Sequence, residues 1–216
     1  MSTLQAVLCD MDGTLVDTEP YWEIAKLDLA ARHHVPFTSE DTDALVGRSM
    51  MVTVQAMRDA GVPLEETEVL AALVEDVAAR VHDHIPWLPG AEEFLLRMAD
   101  RGIPLALVTQ AWEPVARQIV DASNGVLQVL VSGADVTHPK PHPEPYQMAA
   151  RRLGIDVRQC VAIEDSPAGV ESAERAGAPV LVLPGIHPVA SGPNRHTIAS
   201  LDEVDRPFLE RILATR

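Results

Sequence analysis

Two carboxylates follow the first apolar segment of this 216-residue chain. Asp10 and Asp12 stand in the run DMDGT, directly after QAVLC, which has the short apolar pattern of a buried parallel strand. Alternate side chains of an extended backbone face the same side, so the pair can work together. One carboxylate can act as a nucleophile or cation ligand and the other as a general acid and base. Taken alone, the run is equally compatible with a solvated acidic turn.

Three further junctions between an apolar run and a loop carry polar groups. Thr109 ends the run PLALVT and offers a hydroxyl, and Lys140, one of only two lysines, lies between prolines in THPKPHPEPY. Glu164 ends the run CVAIE and Asp165 follows it, where Asp165 suits either a helix cap or a Mg²⁺ ligand. Because the carboxyl ends of parallel strands meet at one edge of a sheet, these groups together predict a single site.

Strand-like and helix-like patterns alternate along most of the chain, which predicts an α/β fold with a parallel sheet. Between about residues 21 and 84 only helical patterns occur, so a small all-helical module is predicted to follow the first strand. We place the core at residues 1–16 and 88–216 and the helical module at 17–87. The tail at 187–197, rich in Pro, Gly, Ser and His, is predicted to be a loop. The predicted strands are residues 5–10, 104–109, 126–132, 160–164 and 179–183.

Composition narrows the classes of function. Hydrophobic residues make up 47% and charged residues 23%, as in globular proteins, and the formal net charge is −15. Such a charge argues against a nucleic-acid or anionic-membrane surface. Cys9 and Cys160 stand inside apolar runs and are predicted to be core residues. Neither a signal-peptide pattern nor a long apolar segment is visible, so we expect a cytoplasmic protein.

The order of these motifs resembles the haloacid dehalogenase superfamily of aspartate-nucleophile phosphotransferases. DMDGTLVDTEP is similar to its first motif, and Thr109, Lys140 in KPHPEPY, and IEDSPAGVESAERAG match the second, third and fourth. The resemblance is strongest to the branch that contains β-phosphoglucomutase and small sugar-phosphate or phosphoglycolate phosphatases. It implies a Rossmann-like parallel-sheet core with a small helical cap inserted after the first strand.

The resemblance also implies a role for each motif residue. Asp10 would attack phosphorus and form an aspartyl-phosphate, and Asp12 would protonate the leaving oxygen and then deprotonate water. Thr109 and Lys140 would bind phosphoryl oxygens. The implied Mg²⁺ ligands are the Asp10 carboxylate, the Asp12 backbone carbonyl and Asp165, with Glu164 acting nearby or through water.

Departures from the β-phosphoglucomutase pattern favour hydrolysis of a small phosphomonoester over a mutase reaction, which stays as the alternative. Trp22 stands where the mutase has a histidine, and residues 69–85 contain Arg80 but no lysine for a second phosphate. A haloacid dehalogenase is disfavoured because those enzymes lack an acid at the position of Asp12. A phospho-receiver module is disfavoured because its acids are usually adjacent and its acceptor lies on a later strand.

Substrate contacts are predicted mainly around the helical module. Arg48, in the run GRS, resembles the substrate-facing cap loop of the family and could pair with a hydroxyl, a carboxylate or a second phosphate. Gln110, where Ser or Asn is commoner, and Trp22 are further candidates. The predicted partner is a small phosphorylated metabolite, and the predicted state is a monomer.

Overall fold

The computed structural model describes residues 4–45 and 50–214. The chain divides into two compact units. Met1–Asp17 and Pro86–Arg216 form the first, which we call the α/β unit, and Thr18–Ile85 form the second, the helical unit.

A six-stranded parallel sheet forms the centre of the α/β unit, in the order β3-β2-β1-β4-β5-β6. The first strand lies between the second and the fourth, and all four of its residues are buried, as its unbroken apolar pattern predicts. The strands are β1 Ala6–Cys9, β2 Leu105–Val108, β3 Leu127–Val131, β4 Cys160–Glu164, β5 Val180–Val182 and β6 Arg195–Thr197.

The prediction of a loop throughout 187–197 is wrong at its end, because β6 pairs with β5 there. This edge strand is three residues long, partly exposed and without an apolar run. Its backbone bonds to β5, rather than any hydrophobic pattern of its own, make it a strand.

The described residues of the helical unit form four α-helices and no strand. The short α2 begins at a capping box, in which Thr38 and Asp41 satisfy each other's backbone N–H groups. Glu65 and Glu68 form the corresponding box before α4. The helices are α1 Glu19–Arg32, α2 Ser39–Asp43, α3 Met50–Asp59 and α4 Glu66–Asp83.

In the part of the α/β unit that the structure describes, five α-helices pack against the sheet. The core between sheet and helices includes the fully buried Tyr146, and Cys9 and Cys160 are buried free thiols, which confirms their predicted place. None of the helices in the described part of the chain is long and apolar enough to span a bilayer. The helices are α5 Ala91–Asp100, α6 Glu113–Ala122, α7 Glu144–Leu153, α8 Pro167–Ala176 and α9 Arg206–Ala214.

The chain leaves and re-enters the α/β unit through two adjacent, hydrogen-bonded segments. Val16 and Trp87 form an antiparallel bridge, and the Asp17 N–H donates to the Pro86 carbonyl at 3.0 Å. The Leu88 N–H donates to the Leu15 carbonyl at 2.9 Å. The helical unit is therefore inserted directly after the first strand and its loop. The predicted α/β fold with a helical insertion is confirmed.

Candidate active site

Lys140 lies at the centre of a buried polar cluster. Its Nζ donates to Asp10 Oδ1 at 2.5 Å, to Glu164 Oε1 at 2.6 Å and to the Val108 carbonyl at 2.9 Å. Each of the three ammonium hydrogens therefore has an acceptor, and only 7% of the residue is exposed. Burial alone would lower the pKa of Lys140, but Asp10 and Glu164 attract its proton and raise the pKa above its ordinary value.

Sheet topology brings these residues together. β1 pairs with β2 and with β4, and Cys9 lies opposite both Leu107 and Ile163. Residues that follow the three strands therefore meet at the carboxyl edge of the sheet. Lys140 reaches the same edge from the loop before α7.

Glu164 is fully buried, and donors occupy both of its oxygens. Oε1 accepts from Lys140 and, at 2.7 Å, from the Tyr146 hydroxyl, while Oε2 accepts from the Ser166 hydroxyl at 3.1 Å. Burial and then the Glu164 charge raise the pKa of Tyr146 well above its ordinary value, so this hydroxyl stays protonated and donates. A Cβ at position 169 would stand 1.8 Å from Glu164 Oε1, so the glycine there makes room for the carboxylate.

Asp165 lies against the loop that carries the first two carboxylates. A Cβ on Gly13 would come within 2.1 Å of Asp165 Oδ2, and Gly13 has a φ of +79°, which favours glycine. Asp10, Glu164 and Asp165 each offer an oxygen within 4.8 Å of the others. Burial and the Glu164 charge raise the pKa of Asp165 to about 6 and that of Asp10 well above its ordinary value, although Lys140 opposes the shift.

The donor set of this cluster fits a hard divalent cation. Three carboxylates face one ammonium, so the cluster carries a formal charge of −2, and every side-chain ligand atom it offers is oxygen. Mg²⁺ binds through one or two carboxylates, keeps several waters and prefers such ligands. A bound cation would offset the mutual repulsion that raises the pKa of Asp10 and Asp165.

Asp12 and Thr109 occupy the two loops beside the cluster. Asp12 is half-buried and forms a backbone bridge with Val16, which closes the loop after β1. Thr109 is buried, and its Oγ1 accepts from the Ala111 N–H at 2.9 Å, which leaves the hydroxyl hydrogen available as a donor.

The structure describes two of the three predicted substrate-contacting residues. Gln110 is exposed, and its Nε2 lies 3.5 Å from the Lys140 carbonyl oxygen, so it contacts the loop that carries the lysine. Trp22 is half-buried on α1 of the helical unit. Arg48 lies outside the described residues.

Sequence reasoning missed Tyr146 and Gly169, two of the residues that fix Glu164. Tyr146 is one of only two tyrosines and lies in the first turn of α7, where a buried hydroxyl needs a partner. The need of this hydroxyl for a hydrogen-bond partner could have identified Tyr146 as a candidate site residue. The tight approach of Gly169 to Glu164 leaves no signal in a single sequence.

Comparison with known proteins decides the family. The sequence profile of the haloacid dehalogenase-like hydrolases matches residues 7–183, which include all the motif residues above. The chain belongs to this family. The predicted superfamily is therefore confirmed.

Relatives of this haloacid dehalogenase-like hydrolase place it in the predicted branch. Hexitol phosphatase A of Escherichia coli K12 is 34% identical over 179 residues, 82% of this chain and 81% of its own. Phosphoglycolate phosphatase of Shigella boydii is 28% identical and covers 83% of this chain and 81% of its own. A solved structure from Thermotoga maritima, described as a β-phosphoglucomutase, has a TM-score of 0.76 and 25% identity and covers 92% of this chain and 95% of its own. The match to the family and its phosphatase members supports the prediction that the chain is a phosphatase.

Proposed function

We propose that this hydrolase is a Mg²⁺-dependent phosphatase that cleaves a small phosphomonoester through an aspartyl-phosphate on Asp10. The substrate class we favour is a sugar or polyol phosphate, or phosphoglycolate. The observation that carries the proposal is the buried contact between Asp10 and Lys140 inside a cluster of three carboxylates. It acts, in this proposal, as a cytoplasmic monomer on a free metabolite.

Asp10 is suited to act as the nucleophile. Lys140 holds one of its oxygens at 2.5 Å, which orients the carboxylate before substrate binds. In the first step an Asp10 oxygen attacks phosphorus, the bond from phosphorus to the alcohol oxygen breaks, and the alcohol leaves with a proton from Asp12. In the second step Asp12 takes a proton from water, the resulting hydroxide attacks phosphorus, and phosphate leaves Asp10.

Charge at the site explains how a chain with a net charge of −15 binds an anion. The Asp10 and Asp165 carboxylates, with the Asp12 backbone carbonyl, would hold Mg²⁺, whose charge offsets that of the phosphoryl oxygens. Glu164 lies beside these ligands and holds Lys140 in position. Lys140, after exchanging one of its three present acceptors for substrate, and the Thr109 hydroxyl would donate to the phosphoryl oxygens.

Substrate selection is assigned to the helical unit, acting as a cap, and to the loop after β2. Arg48, Trp22 and Gln110 are the proposed substrate contacts. The hexitol phosphatase and phosphoglycolate phosphatase relatives differ in the alcohol that they release. This is the part of the substrate that a cap would contact.

A phosphosugar mutase is the second candidate, because the Thermotoga maritima structure is described as a β-phosphoglucomutase. The two activities are separated by incubating the enzyme with β-glucose 1-phosphate and glucose 1,6-bisphosphate. A phosphatase releases inorganic phosphate. Sustained formation of glucose 6-phosphate well above phosphate release would show a mutase.

The proposal is tested by measuring phosphate release from hexitol phosphates, sugar phosphates and phosphoglycolate, with Mg²⁺ and with chelator. We expect turnover of at least one compound with Mg²⁺, loss of turnover with chelator, and none with the Asp10→Asn variant. Turnover that persists after complete chelation would contradict the metal dependence. Undiminished turnover by Asp10→Asn would contradict the nucleophile.

A further inference from the structure

A second group of metal-binding side chains lies beside the active site and has no part in the proposed mechanism. His138, His142 and Glu144, which we call the histidine–glutamate cluster, each offer a ligand atom within 4.8 Å of the others. His138 Nδ1 is 2.9 Å and His142 Nδ1 is 4.0 Å from Glu144 Oε2, and the two imidazole centroids are 4.5 Å apart. Ligand atoms around a tetrahedral zinc ion lie about 3.3 Å apart. One of the two distances to Glu144 Oε2 is shorter than this separation and the other is longer, so small side-chain movements would create it.

The carboxylate of this cluster is already fixed in place. Glu144 Oε1 accepts from the Thr137 N–H and Oε2 from the His138 N–H, both at 3.0 Å. Backbone donors therefore orient both oxygens of this carboxylate before an ion binds. The backbone of the second histidine is also held, because the Ser172 hydroxyl donates to the His142 carbonyl at 2.6 Å.

Proline restricts the backbone between the ligands. Positions 139, 141, 143 and 145 are all proline, so a proline follows each of the three ligand residues. Each ring fixes φ and reduces the number of conformations that the segment must lose when an ion binds.

An ion can reach the cluster, but it competes there with existing contacts. The side chains of His138 and His142 are 61% and 41% exposed, so an ion reaches both rings without opening the fold. Two hydrogen bonds must give way to an ion that binds both Nδ1 atoms, one from the Glu144 N–H to His142 Nδ1 at 3.2 Å and one between His138 Nδ1 and Glu144 Oε2. The ion also meets the positive end of α7, which begins at Glu144. The helix end reduces cation affinity by about two- to fivefold, less than a coordinate bond contributes.

We propose that the histidine–glutamate cluster binds a borderline divalent transition-metal ion such as Zn²⁺, with water completing the coordination shell. Two imidazole nitrogens and one carboxylate oxygen favour Zn²⁺, Co²⁺ or Ni²⁺ over Mg²⁺, whereas the all-oxygen cluster at Asp10 favours Mg²⁺. The chain thus carries two neighbouring sites of different metal preference. This inference does not depend on the proposed function.

The bound ion would hold together the two ends of the segment that carries Lys140. Lys140 lies midway between the two histidines, so coordination ties both flanks of the lysine to the first residue of α7. An ion that binds only the folded chain stabilises it by mass action. We therefore expect Zn²⁺ to raise the temperature of unfolding.

The experiment titrates Zn²⁺ by calorimetry into untagged protein held in excess Mg²⁺, which occupies the carboxylate cluster. The test variant is His138→Ala/His142→Ala. The matched control is His82→Ala/His84→Ala, which removes two histidines at the end of the helical unit. We expect one Zn²⁺ per chain for wild type and control, and an affinity lower by at least about tenfold for the test variant.

Two further measurements keep the result decisive. Co²⁺ should give a visible absorption band in wild type and control that the test variant loses. Zn²⁺ should raise the unfolding temperature of wild type and control but not that of the test variant. If the double variant does not fold, His138→Ala, which changes the more exposed ring, takes its place. Equal Zn²⁺ affinity in test variant and wild type, or no stoichiometric binding to wild type, would overturn the proposal.

Discussion

The two lysines of the chain lie in different units, and both are buried, but their surroundings differ. In the α/β unit, Lys140 has three acceptors within 2.9 Å, two of them carboxylates. In the helical unit, Lys26 is 4% exposed and pairs with the Glu19 carboxylate, which is 3.7 Å away and 46% exposed. Burial of a lysine alone therefore does not indicate a functional site. Several fixed hydrogen-bond acceptors around its ammonium group do.

The sequence separation of the partners shows how each contact is assembled. Asp10 and Glu164 are 130 and 24 residues from Lys140, so their contacts exist only when β1 and β4 are paired. Glu19 and Lys26 belong to one helix and can meet through local structure alone. Substitutions in the two units should therefore have unequal consequences.

Removal of the proposed nucleophile should produce the largest difference between substitutions in the two units. We expect Asp10→Asn to lower kcat by roughly 10⁴-fold or more, as for loss of other catalytic nucleophiles. The fold should be retained, because Lys140 keeps its contact with Glu164. The control in the helical unit is Asp28→Asn, which breaks a partly exposed ion pair with Arg80 and should leave kcat within about twofold. Equal losses in both variants would contradict the comparison.

Replacing each lysine by methionine tests the comparison through stability. Lys140→Met leaves Asp10 and Glu164 buried without their counter-charge, so it should lower the free energy of unfolding by about 3–5 kcal/mol. Lys26→Met removes one long ion pair and should cost less than about 1 kcal/mol. Urea denaturation of both variants measures the difference. Similar midpoints would show that the two lysines are equivalent.

The two tyrosines provide a smaller matched pair. Tyr146 donates to the buried Glu164 carboxylate at 2.7 Å, whereas Tyr21 donates to the His84 carbonyl at 3.0 Å near the surface of the helical unit. Tyr146→Phe should cost about 1.5–3 kcal/mol and Tyr21→Phe about 0.5–1.5 kcal/mol, because a bond to a charged group is the stronger. Thermal unfolding of the two variants checks the order. A larger loss of stability for Tyr21→Phe than for Tyr146→Phe would contradict this order.

Gly169→Ala should have a modest effect on stability, but the sign of that effect is diagnostic. Alanine inside a helix normally stabilises it relative to glycine, by up to about 1 kcal/mol. Here the new methyl group would meet Glu164, so we expect a loss of about 1–3 kcal/mol. A variant as stable as wild type or more so would show that Glu164 can move aside without cost.

The convergence of the motif residues was accessible from the sequence. Asp10, Thr109 and Asp165 each follow an apolar run, and the rule that parallel strands end at one edge is enough to bring them together. The strands themselves were visible because four of the five predicted apolar runs are buried at almost every residue.

Other features depend on information that one sequence does not carry. The partners of Glu164 follow from side-chain depth inside the assembled core, and β6 exists because β5 offers it an edge. The spacing of the two histidines in the histidine–glutamate cluster predicts no contact by itself, because they stand in a proline-rich loop and not on one helix or strand.

The paired segments at Val16 and Trp87 make the helical unit a removable module. The two ends of the insertion are already held together by backbone hydrogen bonds that belong to the α/β unit. A tight turn could join them, so the backbone pairing at this junction does not depend on the length of the chain inserted between the two segments. In a phosphatase of the proposed kind, we expect that exchange of the inserted unit here changes which alcohol is accepted and leaves Asp10 and its neighbours unaltered.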